Sequence, residues 1–179
     1  MQKDSILNII LVGVGLCIVC GAVISTVAVS LKDQQEQNVI FDQQSKIIDA
    51  ARLLEVYPSS QEALASIEEV VVNLNDGQPS AFPPEQYDLD SILRDSSQHT
   101  VLNGSDDIAM ISVRENLSKV YIEYRNNELK TLILPVRGYG LWGTLYGYLA
   151  LDSDLNTIVG LEFYKHKETP GLGAEVDNP

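Results

Sequence analysis

From Ser5 to Leu31 the chain carries no charged side chain, while Lys3 and Asp4 precede this run and Lys32 and Asp33 follow it. As a helix, Ile6 to Leu31 would be roughly 39 Å long at ~1.5 Å per residue. A bilayer core of ~30 Å needs ~20 apolar residues, so the run can span with some tilt. The rival reading is a secretory signal peptide, whose apolar core is ~7–15 residues and ends in a small-residue cleavage site. This run is longer and passes into a polar helical pattern, so it reads as a retained anchor. Gly13, Cys17, Gly21 and Ser25 recur every fourth residue. Small residues at that spacing let a partner helix approach closely. Cys17 and Cys20 are the only cysteines of the chain. In apolar sequence, with no second pair and no nearby histidine, they read as small hydrophobes rather than a redox or metal site.

The 179 residues suffice for one domain beyond such an anchor. The balance is acidic, with 25 Asp and Glu against 12 Lys and Arg. Such a surface repels phosphate backbones and disfavours a nucleic-acid partner. Lys32 to Val56 reads as a helix ended by Pro58, because Ile40, Ile47, Ile48, Ala51 and Leu54 fall at helical spacing. Ser59 to Leu74 reads as a second helix. Ser59 and Glu62 have capping-box spacing, and Leu64, Ile67, Val71 and Leu74 supply one apolar stripe. Asn75 to Ser105 is an acidic, turn-rich excursion in which Asp88, Asp90 and Asp95 do not match a calcium loop. His99 reads there as a solvated loop residue.

From Ile108 the pattern turns to strands. Ile108 to Val113 is a short apolar run. Val120 to Tyr124 and Leu129 to Val136 flank Asn126-Asn127 in a hairpin pattern, and Thr144 to Leu151 and Thr157 to Tyr164 flank Asp152-Ser153-Asp154. The fold class is α+β: a transmembrane helix, a helical neck and an antiparallel-rich domain. The divisions are a tail over 1–5, the membrane helix over 6–31, neck and acidic loop over 32–105, and the sheet domain over 106–179.

Two segments carry chemistry. Gly140-Leu141-Trp142-Gly143 sets the single tryptophan between glycines, which suits a flat ligand face near exposed backbone, or else a core tryptophan in a glycine-rich connection. Lys165-His166-Lys167-Glu168-Thr169-Pro170-Gly171-Leu172-Gly173-Ala174 is a shaped loop after the last strand. Pro170 fixes φ, Gly171 and Gly173 allow positive φ, and the backbone amides and Thr169 hydroxyl can bond a cofactor edge or an anion. The basic cluster Lys165, His166 and Lys167 suits a phosphate or a solvated loop. No G-x-S-x-G, G-x-G-x-x-G or P-loop occurs, and His99 and His166 lack metal spacing, so no catalytic or metal residue is assigned.

Taken together and in this order, these segments resemble the FMN-binding domain shared by the NqrC subunit of the sodium-translocating NADH:quinone reductase and the corresponding flavin subunit of the Rnf electron-transport complex. The string His166 to Glu175 carries the likeness, and Gly138-Tyr139-Gly140-Leu141-Trp142-Gly143 with the opening Lys3-Asp4-Ser5 looks more like the quinone-reductase subunit. The resemblance implies FMN as cofactor, with Leu141 and Trp142 lining the flavin, Glu168 and Thr169 contacting the isoalloxazine edge, and Gly171, Leu172 and Gly173 bringing backbone close to the ring. It implies an electron carrier within a membrane-bound Na+-translocating NADH:ubiquinone oxidoreductase. The partners it implies include a second flavin-carrying membrane subunit and iron–sulfur-bearing subunits. It also implies a single-pass protein of the cell inner membrane whose C-terminal domain is periplasmic, an orientation that the flanking charges do not decide. In that family FMN is held covalently by a threonine in an S-G-A-T-like motif downstream of the loop. No Ser-Gly-Ala-Thr occurs here, so the attachment residue is expected beyond Pro179, and the FMN-binding domain and its flavin are expected to be incomplete or absent within these residues. The competing readings are an Rnf-type flavin subunit and a cofactor-free, membrane-anchored periplasmic structural domain.

Overall fold

The computed structural model describes residues 6–177. The 1–5 tail with its Lys3-Asp4-Ser5 opening, and Asn178 and Pro179, lie outside the described residues. The chain divides into two compact units, residues 1–41 and 42–179.

The first unit is helical throughout its described part, within helix α1 (Ile6–Ala50). Its apolar part is long and hydrophobic enough to cross a membrane, and the side chains of Ile6, Leu11, Ile18 and Val29 all stand exposed. The hydroxyls of Thr26 and Ser30 donate to the carbonyls of Ala22 and Val27, so neither is left bare in the apolar stretch. Past the apolar stretch, Lys32 and Glu36 pair one turn apart at 3.5 Å.

The second unit begins with the last turns of α1, where Ile47, Ile48 and Ala50 become buried. The helix stops at Ala50, not at Val56 as the spacing suggested. Arg52 takes the left-handed conformation (φ 50°), which directs a short 3-10 turn, Leu53–Glu55, inward and leaves Leu53 only 1% exposed. Helix α2 (Ser60–Ala65) starts as expected. The Ser59 hydroxyl accepts from the Glu62 amide and donates to the Glu62 carboxylate, each at 3.3 Å. It ends after six residues, because Ile67–Asn73 is strand β1 rather than helix. The Ile67, Val70, Val71 and Val72 side chains are β-branched, and a neighbouring strand is available to pair with their backbone.

After β1 come helix α3 (Leu89–Arg94), capped by the Asp88 carboxylate on the Ser91 amide, and the strands β2 (His99–Val101) and β3 (Val113–Glu115). These two form a small antiparallel ribbon in which His99 faces Glu115. His99 is therefore a strand residue rather than a solvated loop residue. The expected strand over Ile108–Val113 is confined to its last residue. The Asp107 carboxylate instead accepts from the amides of Ile111 and Ser112, both at 2.7 Å, and Met110 and Ser112 adopt positive φ.

The main sheet then runs β4 (Leu117–Arg125), β5 (Glu128–Tyr139), β6 (Thr144–Asp152) and β7 (Ile158–Lys165). Its order is β1-β4-β5-β6-β7, antiparallel throughout. Both hairpins follow the sequence pattern. Asn126 and Asn127 hold φ of 56° and 62°, the left-handed pair that a two-residue hairpin turn needs. Arg137, near the end of β5, donates to the Glu115 carboxylate at 2.7 Å and to the Val113 carbonyl at 2.6 Å, tying the ribbon to the sheet. Ile47, Ile48, Leu53 and Ala63 pack with Tyr121, Ile133, Tyr148 and Ala150 in one core cluster.

Tyrosines dominate one part of that core. Tyr121 and Tyr148 meet edge to face with centroids 5.7 Å apart, and Tyr148 stacks on Tyr164 at 4.8 Å. Burial is the main cause that raises the phenol pKa of Tyr121, Tyr148 and Tyr164, and it pushes Tyr87 up to about 12. In the unfolded chain these phenols ionise near their ordinary value of about 10. Folding raises that value, so the stabilisation is complete below pH ~10 and is lost as pH rises through the folded-state values. We expect phenolate absorbance to lag on titration above pH 10 and then to appear together with loss of the fold. Ionisation of every tyrosine near pH 10 in a fold that persists would contradict this packing.

Candidate functional site

The two segments singled out in the sequence meet at one end of the sheet. Tyr139 and Thr144 are the last paired residues of β5 and β6, so residues 140–143 form the connecting turn. The Gly140 amide donates to the Gly143 carbonyl at 2.7 Å and closes it. β7 pairs with β6, so the loop that leaves β7 after Lys165 lies beside this turn. That loop is fixed from within. The Leu172 and Ala174 amides both donate to the Thr169 carbonyl, at 3.1 and 3.2 Å, and lead into a 3-10 turn, Gly173–Asp177. Gly171 has φ +75°, a backbone conformation that side chains other than glycine rarely adopt.

Glu168 joins the two. It is 8% exposed, and its Oε1 accepts from the Trp142 amide at 3.1 Å. Its own amide donates to Nδ1 of His166 at 3.1 Å. A Cβ at Gly140 would come within 2.5 Å of Glu168 Oε1, and one at Gly173 within 2.7 Å of Oε2. One carboxylate thus fills the space that two glycines leave open. The aliphatic stem of Lys167 lies against Gly143 in the same way.

Around this joint stand large apolar side chains with little cover. Leu141 is 77% exposed, Trp142 64% and Leu172 75%, and Tyr139 at the end of β5 is 52% exposed. A Cβ at Gly171 would meet nothing within 4 Å. Trp142 is therefore not an ordinary core tryptophan. An open face of aromatic and aliphatic side chains beside bare backbone suits a flat, partly apolar ring with polar edges, and the exposed Thr169 can offer its hydroxyl to such an edge. The residues present therefore fit an isoalloxazine.

The structure brings together Leu141, Trp142, Glu168, Thr169, Gly171, Leu172 and Gly173, the full set named from the sequence. It disperses the basic cluster. Lys165 lies 3.9 Å from the Asp90 carboxylate and over the Tyr146 ring at 5.1 Å, while Lys167 covers Gly143. Glu168, expected at the edge of the ring, instead turns its carboxylate between two glycines and onto the Trp142 amide, a placement the sequence did not show, since no local pattern links positions so far apart in the chain. Sequence reasoning also missed a cavity of about 200 Å³ lined by Tyr87, Tyr121, Tyr146, Tyr148 and Tyr164. The tyrosines at alternate positions 146 and 148 on β6 were its one local sign. Among the described residues no group of three His, Cys, Asp or Glu side chains is placed to hold a metal ion.

A family model described as the FMN-binding domain matches residues 140–178, from the Trp142 turn through the 168–174 loop. The chain is 43% identical over 183 residues to the NqrC subunit of the Na(+)-translocating NADH-quinone reductase of Pseudomonas aeruginosa, covering 99% of this chain and 70% of that protein. It is 38% identical over 179 residues to the same subunit of Vibrio vulnificus, with the same coverage. The crystal structure of Shewanella oneidensis NqrC superposes with a TM-score of 0.68 at 29% identity, over 76% of this chain and 64% of that one. The crystal structure of the same reductase subunit from Parabacteroides distasonis gives 0.57 at 29% identity, over 83% and 65%. The chain thus spans somewhat less than two thirds of the solved chains.

Proposed function

The chain belongs to the NqrC family, a subunit of the Na(+)-translocating NADH-quinone reductase, and from that membership we propose that it holds FMN against the Trp142 turn and the 168–174 loop and carries electrons between redox centres of a membrane complex. The observation that carries this reading is the exposed face of Leu141, Trp142 and Leu172 beside the open backbone at Gly171, inside the span that matches an FMN-binding domain. When bound, FMN supplies the one-electron chemistry. The chain's own residues bind and orient it. Leu141, Trp142 and Leu172 cover the ring and keep water from it, Thr169 bonds a polar edge, and Gly171 lets the backbone approach closely, whereas the space at Gly173 is taken by Glu168. No side chain need act as acid or base. Covalent attachment through a threonine is part of the same proposal, without a residue assigned to it.

The apolar stretch of α1 supports single-pass anchoring among other subunits of the complex. The domain would face the periplasm, with a second flavin subunit and iron–sulfur subunits as electron partners. The NqrC relatives favour this reading over an Rnf-type subunit. The 64% exposure of Trp142 argues against a cofactor-free domain in which that ring is core.

Because Trp142 is the single tryptophan, its fluorescence reports the site alone. Titration of the purified full chain with FMN should quench it to saturation, and Trp142→Phe should bind comparably as read by the flavin's own emission. Trp142→Ala should bind about tenfold more weakly, the loss expected for one aromatic contact. An emission untouched by FMN would overturn the reading.

A further inference from the structure

The geometry points to Glu168 as the positioning residue of the proposed flavin site, a carboxylate latch that holds the Trp142 turn and the 168–174 loop in one fixed relation. The inference rests on the flavin reading for its ligand, and on geometry alone for the latch.

Three observations converge on this side chain. It is almost wholly buried although it lies in a loop among exposed residues. Buried carboxylates are retained where hydrogen bonds hold them, and Oε1 receives the Trp142 amide. The two carboxylate oxygens also face different glycines, Oε1 toward Gly140 in the turn and Oε2 toward Gly173 in the loop. A methyl group at either position would overlap the oxygen that faces it. The site is therefore shaped around the carboxylate from both sides.

The consequence is mechanical. Trp142 sits on a four-residue turn whose own closure is one hydrogen bond, Gly140 to Gly143. Leu172 and Gly171 sit on a loop closed on the Thr169 carbonyl. Without Glu168 each segment keeps its internal bonds but loses the fixed spacing between the tryptophan face and the loop backbone. A flat ligand must be met by both together, so that spacing sets its affinity. In this arrangement the contribution of Glu168 is an acceptor of the right shape rather than a charge aimed at the ring, so a glutamine that keeps Oε1 should serve nearly as well.

The test uses the full chain in detergent with the variants Glu168→Gln, Glu168→Ala, Gly140→Ala and Gly173→Ala, each checked for a wild-type melting transition. Two quantities are read. One is the hydrogen-exchange rate of the Trp142 backbone amide in flavin-free protein, isolated by 15N-tryptophan labelling. The other is affinity for added FMN. We expect Glu168→Gln to keep amide protection and FMN affinity within about threefold of wild type. We expect Glu168→Ala to lose about tenfold in both, as for a buried donor left without its acceptor. The two glycine variants should lose FMN affinity with Glu168 still present. Equal losses in Glu168→Gln and Glu168→Ala would overturn the latch and make the charge itself the ligand-facing group. Normal binding by both glycine variants would also overturn it. If wild-type protein does not bind FMN, the flavin reading falls, and the exchange rate of the Trp142 amide still decides the latch.

Discussion

Gly160→Ala is expected to destabilise the domain by about 2–3 kcal/mol, a drop of roughly 6–12 °C in melting temperature. Gly160 lies on β7 opposite Ala150 and beneath the last turn of α1. A Cβ there would overlap the Ala50 carbonyl oxygen and crowd the Ala50 carbonyl carbon. These are backbone atoms, so no rotamer change relieves the clash. The helix end must move, and Ile47 and Ile48 move with it, both 3% exposed in the core. Gly104 is the control. A Cβ there meets nothing within 4 Å, and Gly104→Ala should change stability by no more than about 0.5 kcal/mol. Thermal unfolding of the two variants beside wild type checks the pair. A Gly160→Ala protein that melts with wild type would mean that the end of α1 is not seated on β7.

Glu123→Ala is expected to cost about 3 kcal/mol. Glu123 is fully buried on β4 and collects four donors. The Tyr57 hydroxyl donates at 2.9 Å, the Thr131 hydroxyl at 2.9 Å, and Arg125 Nε and Nη2 at 3.0 and 2.7 Å. The Arg125 side chain is 40% exposed, so water can take over its charge and screens that pair. Most of the loss comes from the hydroxyls of Tyr57 and Thr131, left without their acceptor in the interior. An apolar replacement of the whole set should recover much of it. Glu123→Leu combined with Tyr57→Phe and Thr131→Val is expected to unfold closer to wild type than Glu123→Ala does, because no donor is then left unmet. Urea unfolding midpoints at constant slope check this order. A triple variant weaker than Glu123→Ala would show that the network stabilises through more than satisfied donors.

Much of the framework was legible in the sequence for local reasons. An uncharged run from Ser5 to Leu31 permits little besides a membrane helix. Alternation around Asn126-Asn127 and around Asp152-Ser153-Asp154 marks two hairpins, because side-chain period and turn chemistry are both local. Ser59 also caps α2 as its spacing with Glu62 suggests, although the Glu62 carboxylate accepts from the Ser59 hydroxyl rather than from its amide. Ile67–Asn73 misled because Leu64, Ile67, Val71 and Leu74 happen to fall three and four apart. The density of β-branched residues there was the better guide, and pairing with β4 decided the outcome. Ile108–Val113 looked like a strand because its composition is apolar. The Asp107 carboxylate bends it into a loop instead, through bonds that composition does not encode. The residues of the candidate site were legible through resemblance in two short strings. The burial of Glu168 between Gly140 and Gly173 was not, since it depends on β6 and β7 pairing so that the turn meets the loop.

The most direct measurement is the flavin content of the full-length gene product taken from native membranes. Purified and run on a denaturing gel under ultraviolet light, the protein should give a fluorescent band, with about one FMN per chain and with Trp142 emission quenched for as long as the flavin is held. A dark band from colourless native protein, with Trp142 emission indifferent to added FMN, would contradict the electron-carrier reading and leave the Trp142 turn and the 168–174 loop without a flavin to hold.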